Sequence, residues 1–329
     1  MTKRRWTLLG GSLIAAVVLL TGTAAAPAAP KHPSKVQHLQ HVFVIMMENT
    51  GIEALLGNPH APWINQAVQT YGVAGNYYGV THPSQPNYIA ATAGTRAGVP
   101  NDNDVTVDLP NIVDQLESHH KSWKGYMQSY SLCATKFDHA CGNQLYERKH
   151  NPFISFADVQ NNPARLAKLV DLSQLSTDLA SDHVPDYSWI SPDQCNDMHG
   201  RGGGGSSDPC DFSNEQLLIQ AGDTFLANTV GEIMSSKAWG PNSVIFTTWD
   251  ESDFPFNDTS GCCDANPGGG HVVTLVISHS DHSARTSNVA YNHYSMLSTI
   301  EGGWKLGCLA FTCDTANVTP MSDLVGPKG

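Results

Sequence analysis

The sequence predicts an α/β fold, with a mostly parallel central sheet and helices on both faces. Three runs carry the sheet: HVFVIMM (41–47), SVIFTTW (243–249) and HVVTLVIS (271–278). Each is short, continuously apolar and bounded by polar residues, the pattern of a strand covered on both sides. Segments of helical periodicity alternate with strand-like runs along the chain, which favours parallel pairing over hairpins.

The first residues read as an export signal. Lys3, Arg4 and Arg5 form a basic start, an apolar run covers 8–20, and an Ala-x-Ala pattern follows at 24–26. That is the layout of a secretory signal peptide spanning 1–29, with cleavage near Ala26 to Ala29. The apolar core is short for a membrane span, so no stable membrane anchor is expected after cleavage. Arg4-Arg5 hints at a twin-arginine signal, although its flanks fit that pattern poorly. The remaining 30–329 is read as one domain, with an irregular insertion over the core at 124–171.

After the first strand, residues 49–51 break the pattern and 61–70 read as a helix. Aromatic and β-branched residues make 72–80 a strand. NYIAATAG (87–94) is a short helix closed by Gly94, 111–123 is helical, and KGYMQSY is a strand. A helix over 172–181 leads into the strand-like DYSWISP. RGGGGSS (201–207) is a flexible loop. Ser213 opens a long helix to about Ser236, with Ser213 and Gln216 placed as a capping box. NHYSMLSTIEGGW (292–304) is the last, amphipathic helix.

Charge and cysteines narrow the function. The formal net charge of −12 deepens to −15 once the three basic leader residues are removed. An acidic body repels polyanions, and no basic stripe is present, which argues against nucleic-acid binding. A small phosphate substrate stays open, because a metal can reverse the local charge. The eight cysteines are even in number and exported with the chain, the pattern of disulfides. Their sequence-local pairing is Cys133–Cys141, Cys195–Cys210, Cys262–Cys263 and Cys308–Cys313. Their spacing does not match a zinc ribbon or finger.

The chemistry-bearing residues gather where a parallel sheet places a site, at the carboxyl ends of strands. Glu48 and Asn49 follow the first strand; Asp250 and Glu251 follow SVIFTTW. Three carboxylates brought together repel one another unless a cation compensates, and a divalent metal with oxygen ligands is the simplest answer. The plainer alternatives are a helix cap at Asn49 and a solvated turn at Asp250-Glu251. THPSQPNY (81–88) puts Ser84 in a Pro-flanked turn before a helix, where its hydroxyl sits near backbone N–H donors. A serine needs a base or a metal to become a nucleophile, no Gly-x-Ser-x-Gly elbow surrounds this one, and a helix cap is the plainer alternative. SPDQCNDMHG (191–200) carries Asp193, Asp197 and His199, and GGGHVV carries His271. Histidine suits phosphate contact, general acid chemistry or metal ligation. His293 is read as a packing residue.

Together these pieces resemble the bacterial phosphoesterase family of acid phosphatases and phospholipases C, within the alkaline-phosphatase-like superfamily. IMMEN, HPSQPNYIAATAG, SPDQCNDMHG, TTWDES, GGGHVV and NHYSMLSTIEGGW carry the resemblance and occur in the family's order. The resemblance implies that Glu48, Asn49, Ser84, Asp250 and Glu251 hold one divalent metal, whether calcium, magnesium, manganese or zinc. It implies Ser84 as nucleophile through a phosphoserine, His199 and His271 as catalytic histidines, and Asn49 and Asn87 as phosphate-binding or pocket-shaping residues. The leading expectation is a secreted acid phosphatase acting on small phosphate monoesters. A phosphodiesterase of phospholipase C type and a non-catalytic exported phosphate- or calcium-binding protein are its rivals.

Overall fold

The computed structural model describes residues 1–2, 36–281 and 283–326. The predicted leader lies mostly within residues 3–35, outside the described residues. Ten strands run in chain order: β1 Val42–Met47, β2 Gly72–Tyr78, β3 Trp123–Met127, β4 Ala140–Cys141, β5 Tyr146–Glu147, β6 Leu169–Asp171, β7 Tyr187–Ser191, β8 Val244–Trp249, β9 Thr274–Ser278 and β10 Arg285–Asn292. The α-helices are α1 Ile52–Leu55, α2 Pro62–Ala67, α3 Ser84–Ala93, α4 Ile112–Ser118, α5 Ala157–Gln160, α6 Pro163–Leu166, α7 Gln174–Ala180, α8 Glu215–Ser235 and α9 His293–Trp304.

Eight strands form one sheet in the order β10-β2-β9-β8-β1-β7-β3-β6, and β4 and β5 make a separate small ribbon. Only β9 runs against its neighbours β2 and β8; the other pairings within the sheet are parallel. Every residue of β1, β7, β8 and β9 is buried. Successive side chains of a strand point to opposite faces, so both faces of the sheet centre are covered. Helix α3 packs on α9, and α8 packs on α2 and α7.

Local chemistry shifted several boundaries. Helix α3 begins at Ser84, three residues before the predicted start, and Gly94 closes it at φ 67° as a left-handed cap. The predicted capping box of α8 does not form: Asn214 is the N-cap, and the Ser213 hydroxyl donates instead to Asp211 at 2.6 Å. Helix α9 is not amphipathic, since all twelve of its residues are buried between α3, β10 and the 3₁₀ turn Ala310–Cys313. Strands β6 and β10 escaped the sequence reading. One has three residues, and the other is a half-exposed edge strand without an apolar run. The stretch 124–171 supplies most of β3 and all of β6 to the main sheet, and the irregular chain lies between them. The four sequence-local disulfides are formed.

Candidate active site

The sheet register builds the first half of the site. Met47 pairs with Trp249 in adjacent parallel strands, so Glu48 and Asp250 leave the sheet side by side. Asn49 then adopts the left-handed conformation at φ 49°, which Asn tolerates better than most residues. This turns its backbone toward the neighbouring loop. Its N–H donates to Asp250 Oδ1 at 3.0 Å, and its carbonyl accepts from Asp253 N–H and Phe254 N–H. Asn49 caps no helix, since the N-cap of α1 is Gly51. Asp250 and Glu251 are 0% and 2% exposed, so they are no solvated turn.

Ser84 enters from β2 through the Thr81–Pro83 turn. Asn87 holds that turn from inside. Its Oδ1 accepts from Val80 N–H at 2.8 Å and Thr81 N–H at 3.1 Å; its Nδ2 donates to Thr81 O and Pro83 O. Asn87 thus spends both ends of its amide on the backbone, which positions Ser84 and leaves no free donor for a phosphate. The approach of this turn to the Asp250 loop needs glycine. A Cβ on Gly79 would lie 2.6 Å from Asp250 O and 2.9 Å from Gly269 O.

Four oxygens converge here. Ser84 Oγ is 3.0 Å from Glu48 Oε2, 3.1 Å from Glu251 Oε1 and 3.2 Å from Asn49 Oδ1. A hydroxyl has one proton and can satisfy only one of these acceptors. The free oxygen Oδ2 of Asp250 is buried without a hydrogen-bond partner. Such an excess of buried acceptor oxygens suits a hard divalent cation. The three carboxylates alone do not form a tight trio. Among the described residues, the only group of three or more His, Cys, Asp or Glu donors within 4.8 Å of one another is Cys133, Asp138 and Cys141, and both sulfurs there are consumed by a disulfide. The pooled set therefore depends on the neutral oxygens of Asn49 and Ser84.

The surrounding charges are uneven. Burial would raise the Glu48 pKa, but the neighbouring His150 ring and Lys149 outweigh it and hold it at about 2. Burial and repulsion from Glu48 and Glu251 push Asp250 well above the usual carboxylate range. Burial lifts Glu251 to about 7 against the pull of His82. These acids resist ionising together, as carboxylates do before a cation joins them.

The structure adds residues that sequence reasoning passed over. His82 makes a short ion pair through Nδ1 to Glu251 Oε2, and its Nε2 lies 2.9 Å from Asp258 O. His150 places Nε2 3.1 Å from Glu48 Oε1 and Nδ1 3.5 Å from Asp197 Oδ2, with its ring stacked on Tyr88. Lys149 donates to Asp102 Oδ2 at 3.0 Å, while Asp102 Oδ1 accepts from Gln85 N–H in the first turn of α3. Burial works against the Lys149 charge, but Glu48 and Asp102 outweigh it and raise its pKa. His82 stood inside the quoted serine motif; His150 and Lys149 lie in the irregular segment, where no periodicity marked them.

The two predicted histidines part company. His199 lies beside the site: it lines one cavity with Asn49, and its Nδ1 is 2.6 Å from Gly200 O. Burial lowers its pKa. His271 is not joined to the Ser84 cluster by any described contact. Its Nε2 pairs with Gly75 O at 2.9 Å and its ring lies against Tyr78, because the ring is committed to the edge of β2. Asp193 and Asp197 are occupied in bracing the loop after β7, with Ser129 Oγ on one and His199 N–H on the other. His293 is a packing residue as expected, fully buried between Asp250 O at 2.7 Å and the Tyr77 hydroxyl at 3.0 Å.

The fold is similar to that of alkaline-phosphatase-superfamily proteins. A protein of the alkaline phosphatase superfamily from Vibrio parahaemolyticus aligns over 85% of this chain and 71% of its own, with a TM-score of 0.54 and 12% identity. The model of the Phosphoesterase family matches residues 58–307, and the chain belongs to that family. Ser84, Asp250 and Glu251 lie inside the matched stretch, and Glu48 and Asn49 just before it. The phosphatidylinositol-3-phosphatase of Mycobacterium tuberculosis is 27% identical over 95% of this chain and 92% of its own length. An acid phosphatase of Aspergillus fumigatus is 24% identical over 87% of this chain. The chain spans about three fifths of the length of such fungal relatives.

Proposed function

We propose that this protein is an exported, metal-dependent phosphomonoesterase of acid-phosphatase type that works through a phosphoserine on Ser84. One observation carries the reading: the Ser84 hydroxyl oxygen sits within 3.0–3.2 Å of oxygens from Glu48, Glu251 and Asn49. Family membership and the acid-phosphatase relatives support the reaction class. The disulfides and the signal-like leader support export.

One divalent cation, held by Glu48, Asn49, Ser84, Asp250 and Glu251, would supply Lewis-acid polarisation of the phosphoryl group and lower the pKa of the serine. The chain's own groups do the rest. The Ser84 proton leaves to a neighbouring carboxylate, its oxygen attacks phosphorus in line, and the bond to the leaving oxygen breaks. The start of the ten-residue helix α3 favours the negative charge that develops there. His199 supplies the proton to the leaving oxygen. Burial lowers its pKa, so the protonated form that this step needs is reached only at acid pH. Water then cleaves the phosphoserine and phosphate departs. Lys149 and His150 offset the acidity of the site, so that an anionic substrate is admitted.

The test is phosphate release from a chromogenic monoester and its diester analogue, using wild type and Ser84→Ala, with and without a chelator. Monoester hydrolysis abolished by both the substitution and the chelator is the expected result. Activity surviving Ser84→Ala removes the nucleophile assignment, preference for the diester favours the phospholipase C type, and cleavage of neither ester favours a binding protein.

A further inference from the structure

A cavity of about 200 Å³ opens directly beside the Ser84 cluster. Asn49 and His199 form its inner wall, and Met198, Phe212, Leu218 and Phe254 line the rest. An apolar cavity of about 150 Å³ is enough to hold a benzene ring.

Both aromatic walls are built from the frame of the site. Phe254 donates its N–H to Asn49 O at 2.8 Å and accepts from Gly51 N–H at 2.7 Å, so its ring is carried by the same backbone that sets Asn49. Phe212 stands at the end of the glycine-rich loop, which is not loose. Asp211 accepts from Gly204 N–H, Gly205 N–H and Ser213 N–H, Arg201 pairs with Asp208, and the Cys195–Cys210 disulfide ties the loop to the strand end that carries His199. The loop spends this order on presenting a phenylalanine that remains 59% exposed. A lone exposed apolar side chain is ordinary on a protein surface, but this one lines the same cavity as Asn49 and His199.

Two further lining residues are acids. Glu215 and Asp253 border the same cavity and are both exposed. Lys149 and His150 sit against the cluster near Glu48. Exposed acids therefore border the apolar cavity, whereas Lys149 lies near Glu48.

We propose that this cavity is the leaving-group subsite and that it selects phosphate monoesters of neutral aromatic or apolar alcohols. Esters of polyols lose the apolar contact, and esters bearing a second anionic group meet Glu215 and Asp253. The proposal rests on the monoesterase reading above and adds the substrate class to it.

The test compares two primary alkyl esters of similar leaving-group reactivity, 2-phenylethyl phosphate and glycerol 1-phosphate, by kcat/KM. Wild type is expected to favour the phenylethyl ester by about tenfold or more, the scale of one well-buried apolar group. Phe212→Ala should collapse most of that ratio, and Phe212→Leu should restore part of it. Glu215→Gln, an exposed change that spares the apolar wall, should raise kcat/KM for the phosphate ester of 3-hydroxypropanoate about threefold, as expected of one solvent-screened charge. Equal use of the two alkyl esters by wild type, or a ratio that Phe212→Ala leaves intact, overturns the subsite while the monoesterase reading stands. Hydrolysis of neither alkyl ester overturns that reading and the subsite with it.

Discussion

Two of the places that bury carboxylates do so in opposite ways. At the strand ends, Glu48, Asp250 and Glu251 converge on Ser84 while His82, His150 and Lys149 press in around them. In helix α9, Glu301 is buried with a neutral partner, the Gln115 amide, which donates at 3.0 Å. The first arrangement gathers charge and offsets it, and the second disperses it by keeping a proton. Burying an uncompensated charge is costly, and a lone acid neutralises instead. A cluster that crowds several acids against bases despite burial is therefore the better marker of chemistry.

Removing an oxygen from the cluster should have the largest effect. Asp250→Asn is expected to lower kcat/KM on a chromogenic monoester by at least about a thousandfold, roughly 4 kcal/mol of barrier. It should also abolish any loss of Tm that a chelator causes in wild type. A chelator response unchanged in the variant would show that Asp250 braces Asn49 and nothing more.

The basic residues beside Glu48 come next. Lys149→Ala and His150→Ala are each expected to reduce kcat/KM by about 10–100-fold, the scale of residues that support ligands without being ligands. For Lys149→Ala the loss should fall mainly on KM for the anionic ester, because the cation admits charge rather than reacting. If Lys149→Ala leaves both constants in place, the segment around it is scaffolding for Asp102 and α3.

This contrast also explains what could be read in advance. Glu48-Asn49 and Asp250-Glu251 were legible because each follows an apolar strand, and parallel neighbours bring their strand ends together. Ser84 was legible from its Pro-flanked turn. His150 and Lys149 were not, because the irregular chain between β3 and β6 reaches the site through tertiary packing that leaves no period in the sequence. His271 misled for the converse reason: a glycine turn before a strand looked like a site, but the ring turned to β2. Glu301 was hidden by the reading of α9 as amphipathic, whereas the turn Ala310–Cys313 and α3 cover it.

The smallest effect belongs to the second carboxylate and is one of stability rather than rate. Burial lifts the Glu301 pKa to about 8 from an ordinary 4.5. Below the ordinary value the acid is protonated whether the chain is folded or not, and Glu301 costs nothing. Between the two values the unfolded chain releases the proton while the fold retains it. The native state then binds more protons, so stability falls as pH rises through this window and levels off above about 8. Glu301→Gln removes the titration and keeps an acceptor for Gln115. It should raise Tm by about 3 °C at pH 7.5, where one kcal/mol moves a domain of this size by a few degrees, and change it little at pH 4. Its kcat/KM should match wild type, because Glu301 belongs to the core under α3 and not to the Ser84 cluster. A Tm gain of equal size at both pH values would mean that packing, not the proton, sets the cost of this carboxylate, and the contrast between the two buried acid sites would then rest on geometry alone.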